Sequence, residues 1–562
     1  MDSGAVRTDL PAASPAEARR PRRLRRRNLP ARITLWVILA AAVVVLAVVL
    51  VRTAWITDDA YITFRTVDNF VHGYGLRWNV AERVQSYTHP LWMFIIAGAY
   101  ALSGNVYYTA IAAGLFCTVA TVLLLTRYVA RDVGVAAGVI ITLTASRAFV
   151  DFSTSGLENP LSHMLLVLFF LQYHRTMRRR GGLFSLSLVG TLLVLNRMDA
   201  VLLCGPAVVY ALWRRRSVKA VGQVVLGGVP FFLWEAFSLF YYGSLVPNTA
   251  YAKLGTGIAA TDLAGQGVYF LWHSVKTDPL TCMVILAGLT APISRLWRRE
   301  WPFALGVLLH ILYVIKVGGD FMTGRFLTAP FVCCVTLLAY RGRHVSAAPR
   351  LVVMTAVVAV ALFAPSPQLT SGPHYGHLPP GPRGRPTKRR HDHGIGDARA
   401  VYYEATGLLR ETKHRDVPDT TWVRKGLVAR KRYKVRVIGH VGFFGYYAGP
   451  GVHVVDPRAL SDPLLARLPA RYNPHWRIGH FDRVIPDGYL ATVGEGRNLL
   501  TDKQLARFYD KVCIITRHPL AEAGRFSTIV NMLLGRYDSL IRTDVYRKAP
   551  EVSRSPASAG AS

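Results

Sequence analysis

Long apolar runs alternate with short polar loops over the first two thirds of the chain. The first run, from Ile33 to Val51, is long enough to cross the hydrocarbon core of a bilayer. No A-x-A cleavage site follows it, which indicates a retained anchor rather than a removed signal peptide. Further runs lie at 107–126, 133–150, 158–174, 183–196, 199–213, 218–241, 279–295, 301–316, 326–340 and 350–365. The pattern predicts an all-α polytopic membrane bundle of about eleven transmembrane helices over residues 33–365.

The placement of the cations determines the predicted orientation of these spans. Residues 1–32 are strongly basic, which predicts a disordered arm on the cytoplasmic side of the membrane. If residues 90–103 crossed the bilayer, every later basic loop would lie outside; if they lie in the interface, all of these loops become cytoplasmic. The loops are Arg127–Arg131, Arg175–Arg180, Arg214–Lys219, Arg295–Arg299 and Arg341–Arg350. We therefore predict an interfacial helix at 90–103, within a large external loop at 53–106.

The overall charge fits the same picture. The chain carries 67 Lys and Arg residues against 33 Asp and Glu residues, and 51% of its residues are hydrophobic. A basic excess also occurs in nucleic-acid-binding proteins. Here the cations flank apolar spans and no nucleic-acid-binding motif is present. A multi-pass protein of the plasma membrane is therefore predicted, with no nucleic-acid partner.

An odd number of spans with a cytoplasmic N-terminus places the rest of the chain outside. Residues 366–545 are predicted to form an extracytoplasmic α/β domain, entered through a Pro/Gly/Arg-rich linker at 365–393. Residues 546–562 are predicted to be a disordered tail. Short apolar runs predict strands at Val435–Ile438, Val452–Val455 and Val512–Thr516, and an amphipathic run predicts a helix at Leu499–Tyr509.

Carboxylates and cations fall together at the predicted external ends of the spans, whereas the predicted cytoplasmic loops carry plain basic clusters. Ionisable groups at membrane depth are costly and mark a functional site by default. A cavity lined in this way could hold a phosphate with Arg197, Lys253 and Arg325, and a sugar with carboxylates and aromatic rings. The external set is Asp58, Asp59, Glu158, Arg197, Asp199, Asn248, Lys253, Asp320 and Arg325.

Each of these positions also has a purely structural interpretation, and only their convergence on one face favours a site. The alternatives are a solvated collar for Asp58 and Asp59, a helix N-terminal acid for Glu158, an ion pair between helices for Arg197 and Asp199, an interfacial cation for Lys253, and loop charges for Asp320 and Arg325. In the C-terminal part, core or turn roles are favoured for His440 and Asp456.

Several strings of residues resemble one enzyme family. In the first external loop they are Asp58–Arg65, Gly73–Leu76 and Gln85–Trp92, followed by Gly156–Glu158, Arg197–Asp199, Pro247–Lys253 and Gly319–Phe326. In the C-terminal part they are Gly439–Gly442, Val455–Asp462 and Ile478–His480. Together they resemble the terminal β-(1→2) arabinofuranosyltransferases of the actinobacterial cell wall, over most of residues 50–490. One string departs from the pattern, because Met198 stands where a proline is expected.

The resemblance implies a GT-C fold, with decaprenylphosphoryl-β-D-arabinofuranose as donor and the arabinan ends of arabinogalactan or lipoarabinomannan as acceptor. It implies that Asp58 or Asp59 acts as the general base. The substrate- and phosphate-binding residues that it implies are Glu158, Arg197, Asp199, Asn248, Lys253, Asp320, Arg325 and His440. The sequence identifies no cofactor with certainty; a divalent cation bridging Asp58, Asp59 and a phosphate is compatible with it, but no ligand spacing demands one.

Two other functions remain open from the residues alone. One is a GT-C transferase for another polyprenyl-phosphate sugar, such as mannose, because the sugar rests on the resemblance only. The other is a lipid-sugar flippase or an accessory membrane protein without chemistry, although the polar residues crowd one face instead of lining a path through the bilayer. The mechanism is open too, because a β donor giving a β linkage means net retention. Either a carboxylate acts as a transient nucleophile, or attack occurs on the face of the leaving group.

Overall fold

The computed structural model describes residues 29–291, 299–371, 392–412 and 414–547. Most of the predicted basic arm, the linker and the tail therefore lies outside the described residues. In chain order the helices before the linker are α1 (Leu29–Arg52), α2 (Asp58–Val71), α3 (Pro90–Ser103), α4 (Val106–Leu124), α5 (Val133–Ala145), α6 (Arg147–Asp151), α7 (Asn159–Met177), α8 (Leu183–Asn196), α9 (Val201–Arg215), α10 (Val218–Tyr242), α11 (Asn248–Leu254), α12 (Ala260–Thr277), α13 (Pro279–Thr290), α14 (Trp301–Lys316), α15 (Thr328–Gly342) and α16 (Ala347–Phe363).

The predicted spans fall on helices α1, α4, α5, α7, α8, α9, α10, α13, α14, α15 and α16. The span predicted at 133–150 is divided into α5 and α6, and the end of the span predicted at 279–295 lies outside the described residues. By length and composition, three described helical segments could cross a membrane, at Ile33–Arg52, Val106–Ala130 and Val218–Tyr242. Several other helices are apolar but shorter. The helical membrane character is thus as predicted, while the number of crossings stays a prediction. Helices α11 and α12 lie in a stretch for which no element was predicted.

The membrane helices approach one another closely at glycines. Gly306 of α14 faces the backbone of α9, where an added Cβ would come 2.5 Å from the carbonyl oxygen of Leu203. Gly227 of α10 faces α8 in the same way, at 2.6 Å from the Cβ of Ser187. Small residues at helix crossings are typical of membrane bundles, where packing rather than the hydrophobic effect drives association. Large apolar side chains such as Phe116 and Val209 face outward and are exposed, as contact with lipid requires.

The basic loops meet at one end of the bundle. Arg350, in the first turn of α16, pairs with Asp132, directly before α5, at 2.7 Å. Arg341 at the end of α15 pairs with Glu300 at 2.5 Å, and Arg215 at the end of α9 donates to the carbonyl of Thr176 in α7. This segregation of the basic loops is the one that the positive-inside rule predicts for cytoplasmic ends. Which end faces the cytoplasm stays a prediction.

Helix α3, predicted to lie in the interface, has both of its ends on the other side of the bundle. Before its start, His89 lies 3.3 Å from the Glu158 carboxylate at the beginning of α7. After its end, the Asn105 amide donates to Asp416 in the C-terminal part at 3.0 Å. A helix whose two ends contact the same side does not carry the chain across. The placement of this helix in the membrane interface stays a prediction.

Residues 392–412 and 414–547, called here the C-terminal segment, hold α17 (Ala398–Thr406), α18 (Thr421–Arg432), β1 (Val435–Val437), α19 (Val441–Ala448), β2 (His453–Val455), α20 (Tyr489–Glu495), α21 (Lys503–Thr516), α22 (Arg525–Leu533) and α23 (Thr543–Arg547). Strands β1 and β2 pair in parallel, with Val435 opposite His453, and α19 connects them. Two predicted strands are thereby confirmed. The α/β character of the described segment rests on this single two-stranded sheet, and the type of domain stays a prediction.

The third predicted strand, Val512–Thr516, is wrong, because these residues form the last turn of α21. The helix predicted at Leu499–Tyr509 is present but begins at Lys503, where the side chain of Asp502 accepts from two backbone N–H groups. Buried side chains continue at helical spacing from Leu505 through Phe508 and Val512 to Ile515. This periodicity outweighs the β-branched composition of the short apolar run.

Candidate active site

A buried network of ion pairs joins the starts of α7 and α9. The Glu158 carboxylate is fully buried, and its Oε1 accepts from the Arg197 guanidinium at 2.6 Å. Arg197 also donates to both oxygens of Asp199, at 2.9 and 2.8 Å. Arg325 approaches the same Glu158 oxygen at 3.4 Å. Glu158 makes no hydrogen bond that caps α7, so its side chain serves the ion pairs rather than the helix terminus.

A second layer of charges lies beside this network, nearer to solvent. The Arg325 guanidinium lies 4.0 Å from a carboxylate oxygen of Asp59 and 3.8 Å from one of Asp320. The Lys253 ammonium, at the end of α11, is within electrostatic reach of both carboxylates. Asp59 keeps 30% of its side chain exposed, whereas Asp320 keeps 6%. Burial raises the pKa of Asp59, while Arg325 and Lys253 oppose that shift. Of the acids in this layer, Asp59 is thus the one open to a ligand.

Asp58, the neighbour of Asp59, has a different environment. Its carboxylate is buried and accepts a hydrogen bond from the backbone N–H of Phe443, in the first turn of α19, at 2.7 Å. Burial raises the pKa of Asp58 to about 7, against the opposing effect of that bond. Asp58 therefore joins α2 to the C-terminal segment. Nothing in the sequence distinguished Asp58 from Asp59, whereas the structure gives the two carboxylates different environments.

The contact between α2 and α19 leaves no room for a side chain at Gly442. A Cβ at this position would overlap the backbone carbonyl oxygen of Asp58. Arg65, about two turns further along α2, strengthens the contact by donating to the carbonyls of Gly445 and Val452, at 2.7 and 2.8 Å. The C-terminal segment thus fixes the helix that presents Asp59.

We expect Gly442→Ala to lower the melting temperature in detergent and to reduce activity, because α19 must move away from α2 to accept the methyl group. Gly451→Ala is the matched control, since a Cβ there would meet no atom within 4 Å. Thermal unfolding and activity are measured on both variants. An active and stable Gly442→Ala protein would contradict the close packing of α19 on α2.

Asn248 and His440, both predicted to bind substrate, make contacts within the fold. The amide nitrogen of Asn248 donates to the carbonyls of Ala459 and Asp462, at 2.9 and 3.1 Å, and so ties α11 to the C-terminal segment. His440 stacks on Trp422, with ring centroids 4.4 Å apart. Burial and nearby arginines lower the pKa of His440 to about 4, so its ring is neutral. Their roles in binding substrate stay predictions. Asp456 accepts from three backbone N–H groups, which is the turn role favoured for it.

The structure adds residues that sequence reasoning did not select. Arg458 lies within electrostatic reach of Asp59, and Arg477 within reach of Asp59 and Asp320. His480 packs edge-on against Phe321, with centroids 4.7 Å apart. His480 belongs to one of the strings that carry the family resemblance. Arg458 lies within the string Val455–Asp462, and Arg477 directly precedes the string Ile478–His480, but neither arginine was selected in a part of the chain that is rich in arginine.

The residues do not fit a divalent cation bridging Asp58 and Asp59. Asp58 is engaged by the Phe443 N–H group, and Asp59 faces the cations Arg325 and Lys253. Within the described parts of the chain, no group of three or more His, Cys, Asp or Glu side chains is arranged to hold a metal ion. No step is therefore assigned to a metal.

The fold and the site define a helical membrane protein with a part-buried, mixed-charge site at one end, completed by a C-terminal segment. No protein-family model matches the chain. The chain is 26% identical over 554 residues to the terminal β-(1→2)-arabinofuranosyltransferase of Mycobacterium tuberculosis, an alignment that covers 82% of this chain and 86% of that protein. It is 31% identical over 322 residues to the enzyme of the same name from Corynebacterium glutamicum, covering 49% of this chain and 46% of that protein.

Two solved structures also resemble this fold. They are crystal structures of ArnT from Cupriavidus metallidurans, one bound to undecaprenyl phosphate and one in the apo state. The first has a TM-score of 0.47 and 16% identity over 75% of this chain and 86% of that chain. The second has a TM-score of 0.40 and 16% identity over 78% and 79%. The similarity to the two curated enzymes confirms the resemblance found in the motifs, and with it the prediction that the chain is a glycosyltransferase.

Proposed function

We propose that this membrane glycosyltransferase moves arabinofuranose from decaprenylphosphoryl-arabinose to the end of an arabinan chain of the cell wall. The observation that carries the proposal is the environment of Asp59. Its carboxylate is part exposed and lies 4.0 Å from the Arg325 guanidinium, beside Lys253 and Asp320. A base next to several cations suits a reaction in which an acceptor hydroxyl loses a proton while a phosphate leaves.

In the proposed step, the acceptor O–H proton passes to Asp59 as the acceptor oxygen forms a bond to the anomeric carbon. The bond between that carbon and the phosphate oxygen breaks, and decaprenyl phosphate leaves with the electron pair. The phosphate needs little protonation, so no separate acid is required. Cations around the phosphate stabilise the charge that develops on it. Retention still leaves two routes, through a transient bond to a carboxylate or through attack on the face of the leaving group.

We place the acceptor in the C-terminal segment. A cavity of about 310 Å³ there is lined by Tyr472, Trp476, His480 and Asp482, together with Arg471, Asn473, Pro474 and Phe481. Aromatic faces and polar side chains in one cavity suit a sugar chain. His480 also packs on Phe321, the residue after Asp320. The cavity therefore adjoins the charged layer, and a glycan in it could extend one hydroxyl toward Asp59.

The proposal is tested with purified protein in detergent, a short synthetic arabinan and two donors offered in parallel. We expect extension by one pentose with decaprenylphosphoryl-arabinose, detected by mass spectrometry, and none with polyprenyl-phosphate-mannose. Transfer from the mannose donor alone would support the assignment as a glycosyltransferase and contradict arabinofuranose as the transferred sugar. A folded protein inactive with both donors, but able to move a lipid-linked sugar between leaflets of a vesicle, would favour the flippase alternative.

A further inference from the structure

Helix α22 in the C-terminal segment exposes a stripe of apolar residues. One side of the helix packs on the rest of the fold and holds the buried residues Arg525, Thr528 and Ile529. Another side holds four exposed apolar residues at helical spacing, the last of which directly follows the helix. They are Phe526, Val530, Leu533 and Leu534, called here the apolar stripe. Phe526 is 71% exposed and Leu534 is 62% exposed. Single exposed apolar residues are normal on a protein surface, whereas a contiguous stripe indicates an interaction site.

Polar residues border the apolar stripe on one side. Ser527 is exposed, and the side chain of Asn531 accepts a hydrogen bond from the exposed Arg536 at 2.9 Å. Around the axis of α22, a buried side, an exposed apolar side and a polar side therefore follow one another. A helix that lies in the surface of a bilayer has this arrangement, with its apolar side toward the acyl chains and its polar side toward headgroups and water. An arginine at the border suits contact with lipid phosphates.

Helix α22 is joined to the end of a membrane helix. The Arg525 guanidinium donates to the carbonyls of Phe240 and Tyr241 in the last turn of α10, at 2.7 and 3.1 Å. Gly243, directly after α10, faces Ile529 of α22, and an added Cβ would come within 3.1 Å of that side chain. By length and composition α10 could cross a membrane, and aromatic residues such as those of its last turn are enriched at the membrane–water boundary. Helix α22 therefore lies at the level where α10 ends, which is the expected boundary of the bilayer.

The exposed apolar surface of α10 reaches the start of the stripe. Phe232, Leu233 and Phe240 are exposed on α10. The Arg525 guanidinium lies 6.0 Å from the ring centre of Phe240, and Phe526 is the next residue in the chain. Exposed apolar side chains on a membrane helix contact lipid, so the surface beside the stripe is covered by lipid rather than by water. The partner of the stripe must therefore be one that fits against lipid directly beside it.

We propose that the apolar stripe of α22 lies in the surface of the bilayer beside the end of α10, with lipid acyl chains as its partner. The C-terminal segment is then held in two ways, by the packing of α19 on α2 and by the insertion of α22 into lipid. Arg83, in the loop between α2 and α3, joins the two regions, because it donates to the carbonyls of Ile515 and His518 at 2.9 and 2.6 Å. This attachment keeps the segment at the membrane surface, where a lipid-linked substrate presents its headgroup.

The test uses the full-length protein in lipid nanodiscs, with a nitroxide spin label on an introduced cysteine. The label is attached at Phe526→Cys in the stripe, or at Ser527→Cys as the matched control on the neighbouring polar side of the helix. Electron paramagnetic resonance measures the collision rates of the label with oxygen, which concentrates in lipid, and with a water-soluble nickel chelate. We expect the ratio of oxygen to nickel collisions to be severalfold higher at 526 than at 527. Unsubstituted protein treated with the same label gives the background from the six native cysteines, which are all buried or partly buried.

Two results would contradict the proposed contact with lipid. If the oxygen-to-nickel ratio at 526 is no higher than at 527, the stripe faces water and the inference is overturned. If the label at 526 is shielded from both reagents, protein covers the stripe, for example a second copy of the chain, and the inference is overturned as well. Leu534→Cys, at the other end of the stripe, supplies the same comparison if the melting temperature shows that Phe526→Cys fails to fold. Because the measurement needs no sugar donor, its outcome is independent of the proposed transfer reaction.

Discussion

Replacing Asp59 with Asn is expected to lower kcat by about 10²–10⁴-fold, the usual contribution of a general base. The Asn amide keeps the shape of the side chain but cannot take the proton of the acceptor hydroxyl. Donor binding should change little, because the amide occupies the same space and the substitution removes only the group that takes the proton. Extension of an arabinan by mass spectrometry, together with decaprenyl phosphate affinity, separates the two effects. If the Asp59→Asn variant keeps more than a tenth of the wild-type rate, Asp59 is not the general base.

The neighbouring acids on α2 provide the controls for this experiment. Asp68→Asn changes a carboxylate on the same helix that bonds Tyr100 at 2.7 Å, and should leave the rate unchanged. Asp58→Asn keeps an oxygen that can accept from the Phe443 N–H, so it should retain much of the activity. Asp58→Ala should lose it through the loosened contact with α19. Equal losses in Asp58→Asn and Asp59→Asn would contradict the separate roles assigned to the two carboxylates.

The pH dependence of the wild type gives an independent readout. Burial raises the pKa of Asp59, and a general base works only when it is ionised. As the pH falls through that raised pKa, the carboxylate becomes protonated and kcat/KM should fall with it. The acidic limb is therefore expected above the ordinary range of an Asp side chain.

The membrane part of the fold could be predicted because two simple signals act over whole segments. Apolar runs such as Ile33–Val51 reveal helices through their length, and basic loops reveal which helix ends lie together. The interfacial placement of 90–103 was inferred from the charge pattern and stays a prediction, while His89 and Asn105 show that both ends of this helix contact the same side of the bundle. The strand predicted at Val512–Thr516 was wrong because a run of five apolar residues does not distinguish a buried strand from the end of an amphipathic helix.

The candidate site could be predicted only as a set of charges, without their partners. Convergence on one face predicted that Glu158, Arg197 and Arg325 lie together, and Glu158 forms ion pairs with both arginines. Their role in a site stays a prediction. The different environments of Asp58 and Asp59 depend on α19, almost 400 residues away in the chain, and no local pattern encodes such a contact. The arginines Arg458 and Arg477 were hidden for the same reason. Their importance comes from which carboxylates they face.

The largest expected effect on stability is that of Glu158→Gln. The Glu158 carboxylate is fully buried, lies 2.6 Å from Arg197 and 3.4 Å from Arg325, and has His89 at 3.3 Å. Removing its charge leaves two guanidinium groups in a low dielectric with one carboxylate fewer to balance them. Breaking a buried pair in this way typically costs about 3–5 kcal/mol, much of it from the charge left without a partner.

Glu495→Gln is the matched control for stability, because Glu495 is half-exposed and its pair with Arg497 is screened by water. Thermal unfolding in detergent should show a marked fall in melting temperature for Glu158→Gln and almost none for Glu495→Gln. Activity should fall as well, since Arg325, released from Glu158, would move closer to Asp59 and weaken it as a base. A second substitution that removes Arg197 should lower the stability further, because Arg197 also donates to both oxygens of Asp199 and its loss leaves that carboxylate without this partner. If Glu158→Gln melts at the wild-type temperature, the fold does not depend on the charge of Glu158.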